Sequence, residues 1–116
     1  MEFPKSKIVV KTWGHENIIV NNENYCGKLL VFNPNSSASL HFHVVKHETF
    51  YVSKGSFTLK YIDHETTENY TKNLTVGDIV VIKPGLCHQL FSGTEGGTII
   101  EFSTTDFPLD SYRISR

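Results

Sequence analysis

The stretch Leu40–Gly55, "LHFHVVKHETFYVSKG", sets three histidines and a glutamate within eight residues on a segment otherwise built from strand-forming side chains. Successive side chains of a β-strand point to opposite faces, so His41 and His43 share one face while Leu40, Phe42 and Val44 take the other. Two imidazoles at i and i+2 stand near enough to chelate one ion. A short turn through Val45 and His47 leads to Glu48, which opens the next strand and shares a face with Phe50 and Val52. With the hairpin folded back antiparallel, Glu48 faces the same interior as the histidine pair. Two histidines and a carboxylate with open coordination positions suit Fe, Mn, Ni, Co or Zn. Gly55 is expected to close the hairpin.

A second block, "GDIVVIKPGLCHQLF", runs from Gly77 to Phe91. Gly77-Asp78 begins a strand, Pro84-Gly85 makes a turn, and His88 stands at the start of the following strand as a fourth candidate ligand. Ile79 to Ile82, "IVVI", is apolar on both faces, which predicts a central, buried strand. Cys87 adjoins His88, and alternation turns it away from the cavity as a packed thiol.

The rest of the chain agrees with this β reading. No segment repeats the i, i+3, i+4, i+7 spacing of an amphipathic helix. Short β-rich runs such as "KIVVKTW", "GKLLVFN", "SFTLKYI", "HQLFSG" and "GTIIEFS" alternate with turn compositions such as "NNENYCG", "KG", "DHETTENY" and "TEGG". In "SFTLKYI", Phe57, Leu59 and Tyr61 form an apolar face and Ser56, Thr58 and Lys60 a polar one. Many short strands at regular spacing indicate an all-β sandwich or barrel.

Composition bounds the function. A chain of 116 residues is expected to form one domain over 1–116. A net charge of -1 and scattered lysines and arginines give no footing for nucleic acid. Apolar runs are too short to cross a bilayer, and the N-terminus lacks the apolar core of a signal peptide, which points to the cytoplasm. Cys26 and Cys87 are then expected to be reduced thiols.

The two blocks together resemble the paired motifs of the cupin superfamily. His41, His43, Glu48 and Gly55 fit the first motif, and Gly77, Gly85 and His88 fit the second. The departures fall at turn positions: Asn35 stands where the first motif opens on glycine, Lys83 where the second has proline, and Ser92 where it ends in asparagine. The resemblance implies a double-stranded β-helix barrel holding a divalent transition metal, one of Mn, Fe, Zn, Co or Ni, on His41, His43, Glu48 and His88. "KTWGHE" near the start and "EFSTTDFPLDSYR" near the end resemble the edges of one cupin branch, the type II phosphomannose isomerases. That likeness implies metal-assisted aldose–ketose isomerisation of a sugar or sugar phosphate. Lys46, Lys54, Lys83 and Arg113 are candidates to meet a phosphate, each weighed against the ordinary reading of a solvated surface charge. A non-haem iron dioxygenase and a non-catalytic carbohydrate-binding or regulatory module use the same four ligands and stay open as alternatives.

Four bystanders have simpler readings. His47 reads as a polar loop residue, Trp13 as a cap on the core, and Tyr51 and Tyr61 as packing residues. The Leu40, Phe42, Val44 row must be covered by N-terminal strands, by the second sheet or by another subunit. A homodimer is expected on that ground.

Overall fold

The computed structural model describes residues 1–115 and contains nine strands: β1 Lys7–Lys11, β2 Gly14–Asn21, β3 Cys26–Phe32, β4 Leu40–His43, β5 Glu48–Ile62, β6 Asn69–Leu74, β7 Ile79–Ile82, β8 His88–Ser103 and β9 Ser111–Ser115. One 3-10 turn, Pro108–Asp110, precedes β9. The order β1-β2-β3-β8-β4-β9 forms one path through the sheet, and β5 lies against β6, β7 and β8. The architecture is all-β, a curled cupin-type barrel. No helix among the described residues is long and apolar enough to cross a membrane.

Two long antiparallel strands carry the barrel. β5 and β8 pair from Glu48↔Ser103 to Tyr61↔His88, with register shifts at Val52/Lys54 and Gly55/Phe57. Gly55 therefore does not close a hairpin. It has a φ of +76° and lies opposite Gly97, where a Cβ would run into the Gly96 carbonyl. "KG" and "TEGG" are bends within strands: the bulges keep β5 and β8 paired while redirecting them, as bulges do in barrels.

Alternation builds the core. β3 reads buried, half-buried, buried along its length, with Cys26, Lys28, Leu30 and Phe32 pointing in. Leu30 and Phe32 join Phe50, Val52, Phe57, Leu59, Leu74, Ile82, Leu90 and Ile99. Each such side chain contributes about 1.5–3 kcal/mol relative to exposure. Trp13 caps this core, stacked on Phe32 at 4.1 Å between ring centroids.

Two apolar stretches end up elsewhere than their composition predicts. "IVVI" is β7, an edge strand paired only with β5, and Ile79 and Val81 are exposed. Its hydrophobicity on both faces marks a surface rather than a central strand. The chain's own C-terminal strand, β9, lies beside the Leu40, Phe42, Val44 row in the same sheet. Phe42 pairs with Tyr112 of β9 and stacks on it at 5.2 Å, Leu40 is buried, and Val44 is exposed.

Candidate metal centre

Strand register brings the candidate ligands together. β4 pairs with β8 at His41↔His88, so two imidazoles face inward side by side, their ring centroids 4.5 Å apart. His43, two residues along β4, lies 4.9 Å from His41 on the same basis. One ligand nitrogen from each of the three lies within 4.8 Å of the others.

All three rings have the same tautomer imposed on them. A carbonyl oxygen only accepts, so each Nδ1 within reach of one must carry the proton. His41 Nδ1 donates to Ser39 O at 2.8 Å, His43 Nδ1 to Asp110 O at 3.0 Å, and His88 Nδ1 to Leu86 O at 2.9 Å. In the neutral ring this tautomer leaves the lone pair on Nε2. An Nδ1–H tied to a carbonyl is the usual support of a metal-ligating histidine.

Glu48 completes the group from the first position of β5. Its Oε2 lies 3.3 Å from His88 Nε2 and 3.6 Å from His43 Nε2. Glu48 Oε2 and His88 Nε2 are both buried, and neither has a hydrogen-bond partner. Burying polar atoms unpaired costs about 1–3 kcal/mol apiece. A cation shared by the three Nε2 atoms and Oε2 would satisfy them, so the donor set fits a divalent transition metal.

The motif departures have local explanations. Asn35 has a φ of +50°, a left-handed conformation that asparagine tolerates better than most residues. Ser92 keeps a capping role: its hydroxyl donates to Asn33 O at 2.6 Å and accepts from Ser36 N–H at 2.9 Å. Gly85, with a φ of +87°, donates its N–H to His43 O and so ties the second block to the first.

A buried ionic cluster flanks the histidines. Lys46 is 4% exposed, which overturns the reading of its charge as a solvated one. Its Nζ lies 3.3 Å from Glu48 Oε1, 3.2 Å from Glu101 Oε2 and 3.3 Å from Asp106 Oδ1. Lys28, also buried, reaches Asp106 at 2.6 Å and Glu16 at 3.3 Å. Four carboxylates thus face two ammonium groups.

Protonation follows from these contacts. Burial, together with the neighbouring His88, pulls His41 down to about 4, and burial with Lys46 lowers His43. Both are neutral, metal-ready imidazoles at pH 7. Burial works against the charge of Glu48, while the Lys46 ammonium 3.3 Å away favours it and helps to hold the carboxyl below the usual range. Burial likewise opposes the Lys46 charge, and Glu101, Glu48 and Asp106 overcome it, raising the ammonium well above its ordinary value. For Glu101 burial wins over Lys46 and pushes it up to about 7.

These groups line a cavity of about 1060 Å³ whose walls include Trp13, Leu30, Phe32, Phe50 and Leu90. Lys11 and Arg113 also line it; both are exposed. His41, His43, Glu48 and His88 all lie on this cavity. Lys54, Lys83 and His47 are exposed and do not line it. Cys87 is absent from the lining too, and both cysteines are free thiols.

Lys28 is missing from the candidates read off the sequence, and Glu16, Glu101, Asp106 and Asp110 enter there only within the two flanking segments. For two of them a signal exists. Lys28 and Glu101 each occupy an inward position in an alternating strand, "GKLLVF" and "TIIEFS", and the two are directly paired. A charged residue in the apolar register of a strand announces a buried ion pair or a site.

Known proteins place this fold. A D-lyxose/D-mannose isomerase of Thermosediminibacter oceani is 31% identical, the match covering 75% of this chain and 60% of that protein. The chain thus spans less than two thirds of that curated relative. The capsular polysaccharide assembling protein CapF of Staphylococcus aureus superposes with a TM-score of 0.84 at 18% identity, over 99% of this chain and 34% of that one. Oxalate decarboxylase of Bacillus subtilis gives 0.84 at 18%, over 94% and 30%. The cupin family model matches residues 2–112, nearly the whole chain, and the protein belongs to the cupin family.

Proposed function

We propose that this cupin binds one divalent transition metal through His41, His43, Glu48 and His88 and interconverts an aldose with its ketose. The observation that carries the reading is the pair of buried, partnerless atoms, Glu48 Oε2 and His88 Nε2, beside a lysine–glutamate pair in a roomy cavity. The metal, when bound, would supply a Lewis acid to polarise the sugar's carbonyl and neighbouring hydroxyl oxygens.

The protein's own groups would move the proton. Isomerisation carries a proton between C1 and C2, and a single group that gives and takes it suffices. Glu101, poised near neutrality, is suited to that shuttle. The Lys46 ammonium, its three hydrogens taken by Glu48, Glu101 and Asp106, would hold the Glu101 carboxyl in place beside the cavity. Trp13 and Phe32 offer apolar faces for the sugar's carbon skeleton.

Charge favours an unphosphorylated sugar. Lys28 and Lys46 are both taken up by carboxylates, and the remaining cations of the lining, Lys11 and Arg113, are exposed. A phosphate deep in this cavity would meet a surplus of negative charge. The likeness to a D-lyxose/D-mannose isomerase agrees with a free sugar. Its fold neighbour from Bacillus subtilis has Mn(II) centres, which makes Mn the first ion to try. A dioxygenase calls for a drier pocket than this ionic one, and a purely binding module has no use for a buried Lys46–Glu101 pair.

The test is ketose formation from D-lyxose and D-mannose, and from mannose 6-phosphate, after loading with Mn, Co, Fe, Ni or Zn. Turnover of a free sugar with at least one ion supports the reading. Metal-loaded protein inactive on every aldose tried would contradict it.

We also propose that the protein is a homodimer, on a different surface from the one the sequence suggests. Directly paired residues share a face. The row Ile8↔Asn17↔Leu29↔Ile100↔Tyr51↔Ile79 therefore lies on the outside of the sheet, next to the row Phe102↔Thr49↔Val81. Ile8, Ile79, Val81 and Phe102 are each more than half exposed. An apolar band that broad usually marks an interface.

A further inference from the structure

His41 and His88 take their Nδ1 acceptors from carbonyls two residues away on their own stretch of chain, whereas His43 takes its acceptor from Asp110, 67 residues distant. That difference singles out Asp110. The residue ends the 3-10 turn Pro108–Asp110 and is 7% exposed. Its carboxylate accepts three successive backbone N–H groups of the loop between the ligand strands. Oδ1 receives Val44 N at 2.9 Å and Val45 N at 3.1 Å, and Oδ2 receives Lys46 N at 2.9 Å.

One residue thus grips both sides of the site. The carboxylate fixes the backbone from Val44 to Lys46, and that fixes where the Lys46 ammonium starts from. The carbonyl holds His43 in the tautomer whose Nε2 faces Glu48. Carboxylate and carbonyl belong to one residue, so the loop and the His43 ring share a single anchor. β9 extends the grip, pairing with β4 from His43↔Ser111 onward.

We propose that Asp110 is a positioning residue for the metal centre: it holds His43 in its ligating tautomer and Lys46 in place against Glu48 and Glu101. The proposal rests on the metal-binding reading for its purpose and on the hydrogen bonds for its geometry. Outer supports of this kind change metal affinity by about 10- to 100-fold when removed. Asp110→Asn is the informative change. It keeps the shape and one acceptor oxygen, but sets an amide N–H₂ against a loop N–H.

The experiment compares wild type, Asp110→Asn and Asp110→Ala by Co(II) titration calorimetry, and by two-dimensional NMR of the imidazole nitrogens in the metal-free protein. The expected result is a loss of Co(II) affinity of about 10-fold in Asp110→Asn and up to about 100-fold in Asp110→Ala. The His43 signals move toward mixed tautomers, while those of His41 and His88, tied to their own segments, stay put. A general loosening of the fold would move all three, and would overturn the proposal, as would unchanged His43 signals with unchanged affinity. If Asp110→Ala does not fold, Asp110→Asn alone decides. Wild type that binds no Co(II) would sink the metal reading instead, and the His43 tautomer would still show whether Asp110 positions the ring.

Discussion

Glu48 Oε2 and His88 Nε2 lie 3.3 Å apart, both sealed from solvent and neither hydrogen-bonded. Evolution rarely leaves two such atoms facing each other without a third partner, and His41 and His43 each bring a ligand nitrogen within 4.8 Å of that of His88. The central claim is that the partner is a metal ion.

Metal should then stabilise the fold. A ligand that binds only the native state at 100 times its Kd adds about 2.7 kcal/mol. For a domain of this size each kcal/mol shifts Tm by roughly 3–6 °C. Stripping wild type with a chelator should lower Tm by about 10 °C, and re-addition of the ion should restore it. His88→Ala should show no such shift in differential scanning calorimetry, and an equal shift in that variant would remove His88 from the ligand set.

Lys46 is the positive centre of a buried cluster, and its loss should be costly. Removing one partner of a buried pair destabilises by about 3–5 kcal/mol, because the charge left behind has no compensation. Lys46→Met leaves Glu48 and Glu101 in that state. Urea denaturation of the metal-free protein should show the loss, and bound metal should recover more stability in Lys46→Met than in wild type. Equal metal effects in the two would mean that the ion does not sense this charge.

Glu101 is expected to matter for rate and little for metal. Glu101→Gln should lower kcat by about 10²–10⁴-fold, the range of acid–base contributions, while metal content stays near wild type. Steady-state kinetics beside elemental analysis separates the two effects. Full activity in Glu101→Gln would move the proton shuttle elsewhere.

Acid should weaken the metal-free protein through His41. Its native value, about 4, lies below the ordinary imidazole value of 6.5, so the unfolded chain binds more protons between those limits. The contribution is fully present above pH 6.5 and is lost as pH falls toward about 4, to an extent of up to about 3 kcal/mol. Glu101 acts in the opposite sense. Its native value, near 7, exceeds the unfolded 4.5, so its contribution is present below pH 4.5 and is lost as pH rises to about 7. Denaturation at pH 7 and pH 4.5 should show a smaller acid loss in His41→Gln than in wild type. An identical loss would show that His41 is not the group responsible.

Much of the site was legible in the sequence because it is local. His41, His43 and Glu48 fall within eight residues, and alternation alone turns the two imidazoles to one side. His88 needed the second block, and strand register then set it opposite His41. What stayed hidden depends on long-range pairing. Asp106 meets Lys46 and Lys28 where the Asn21 side chain, 85 positions away, bonds its backbone. Lys46 looks like a loop charge until Glu101, 55 residues on, is brought beside it. The fold class was readable from turns and alternation. The joining of "ETFYVSK" to "SFTLKYI" was not, since a bulge glycine and a turn glycine look alike in sequence. β7 misled for a related reason: apolar side chains on both faces suit a buried strand and an interface edge equally well.

The outer apolar band should hold two copies together. Light scattering after size exclusion should give twice the 13.2 kDa chain mass at micromolar concentration, and Phe102→Glu should return the monomer mass. Monomeric wild type would leave the band without its proposed role.

The most direct measurement is elemental analysis by inductively coupled plasma mass spectrometry of wild type and of the His41→Ala/His43→Ala double variant. The account predicts about one equivalent of a divalent transition metal in wild type and none in the variant, with both folded by circular dichroism. Wild type that stays metal-free after incubation with Mn, Fe, Co, Ni and Zn would contradict it and leave the histidines as architecture.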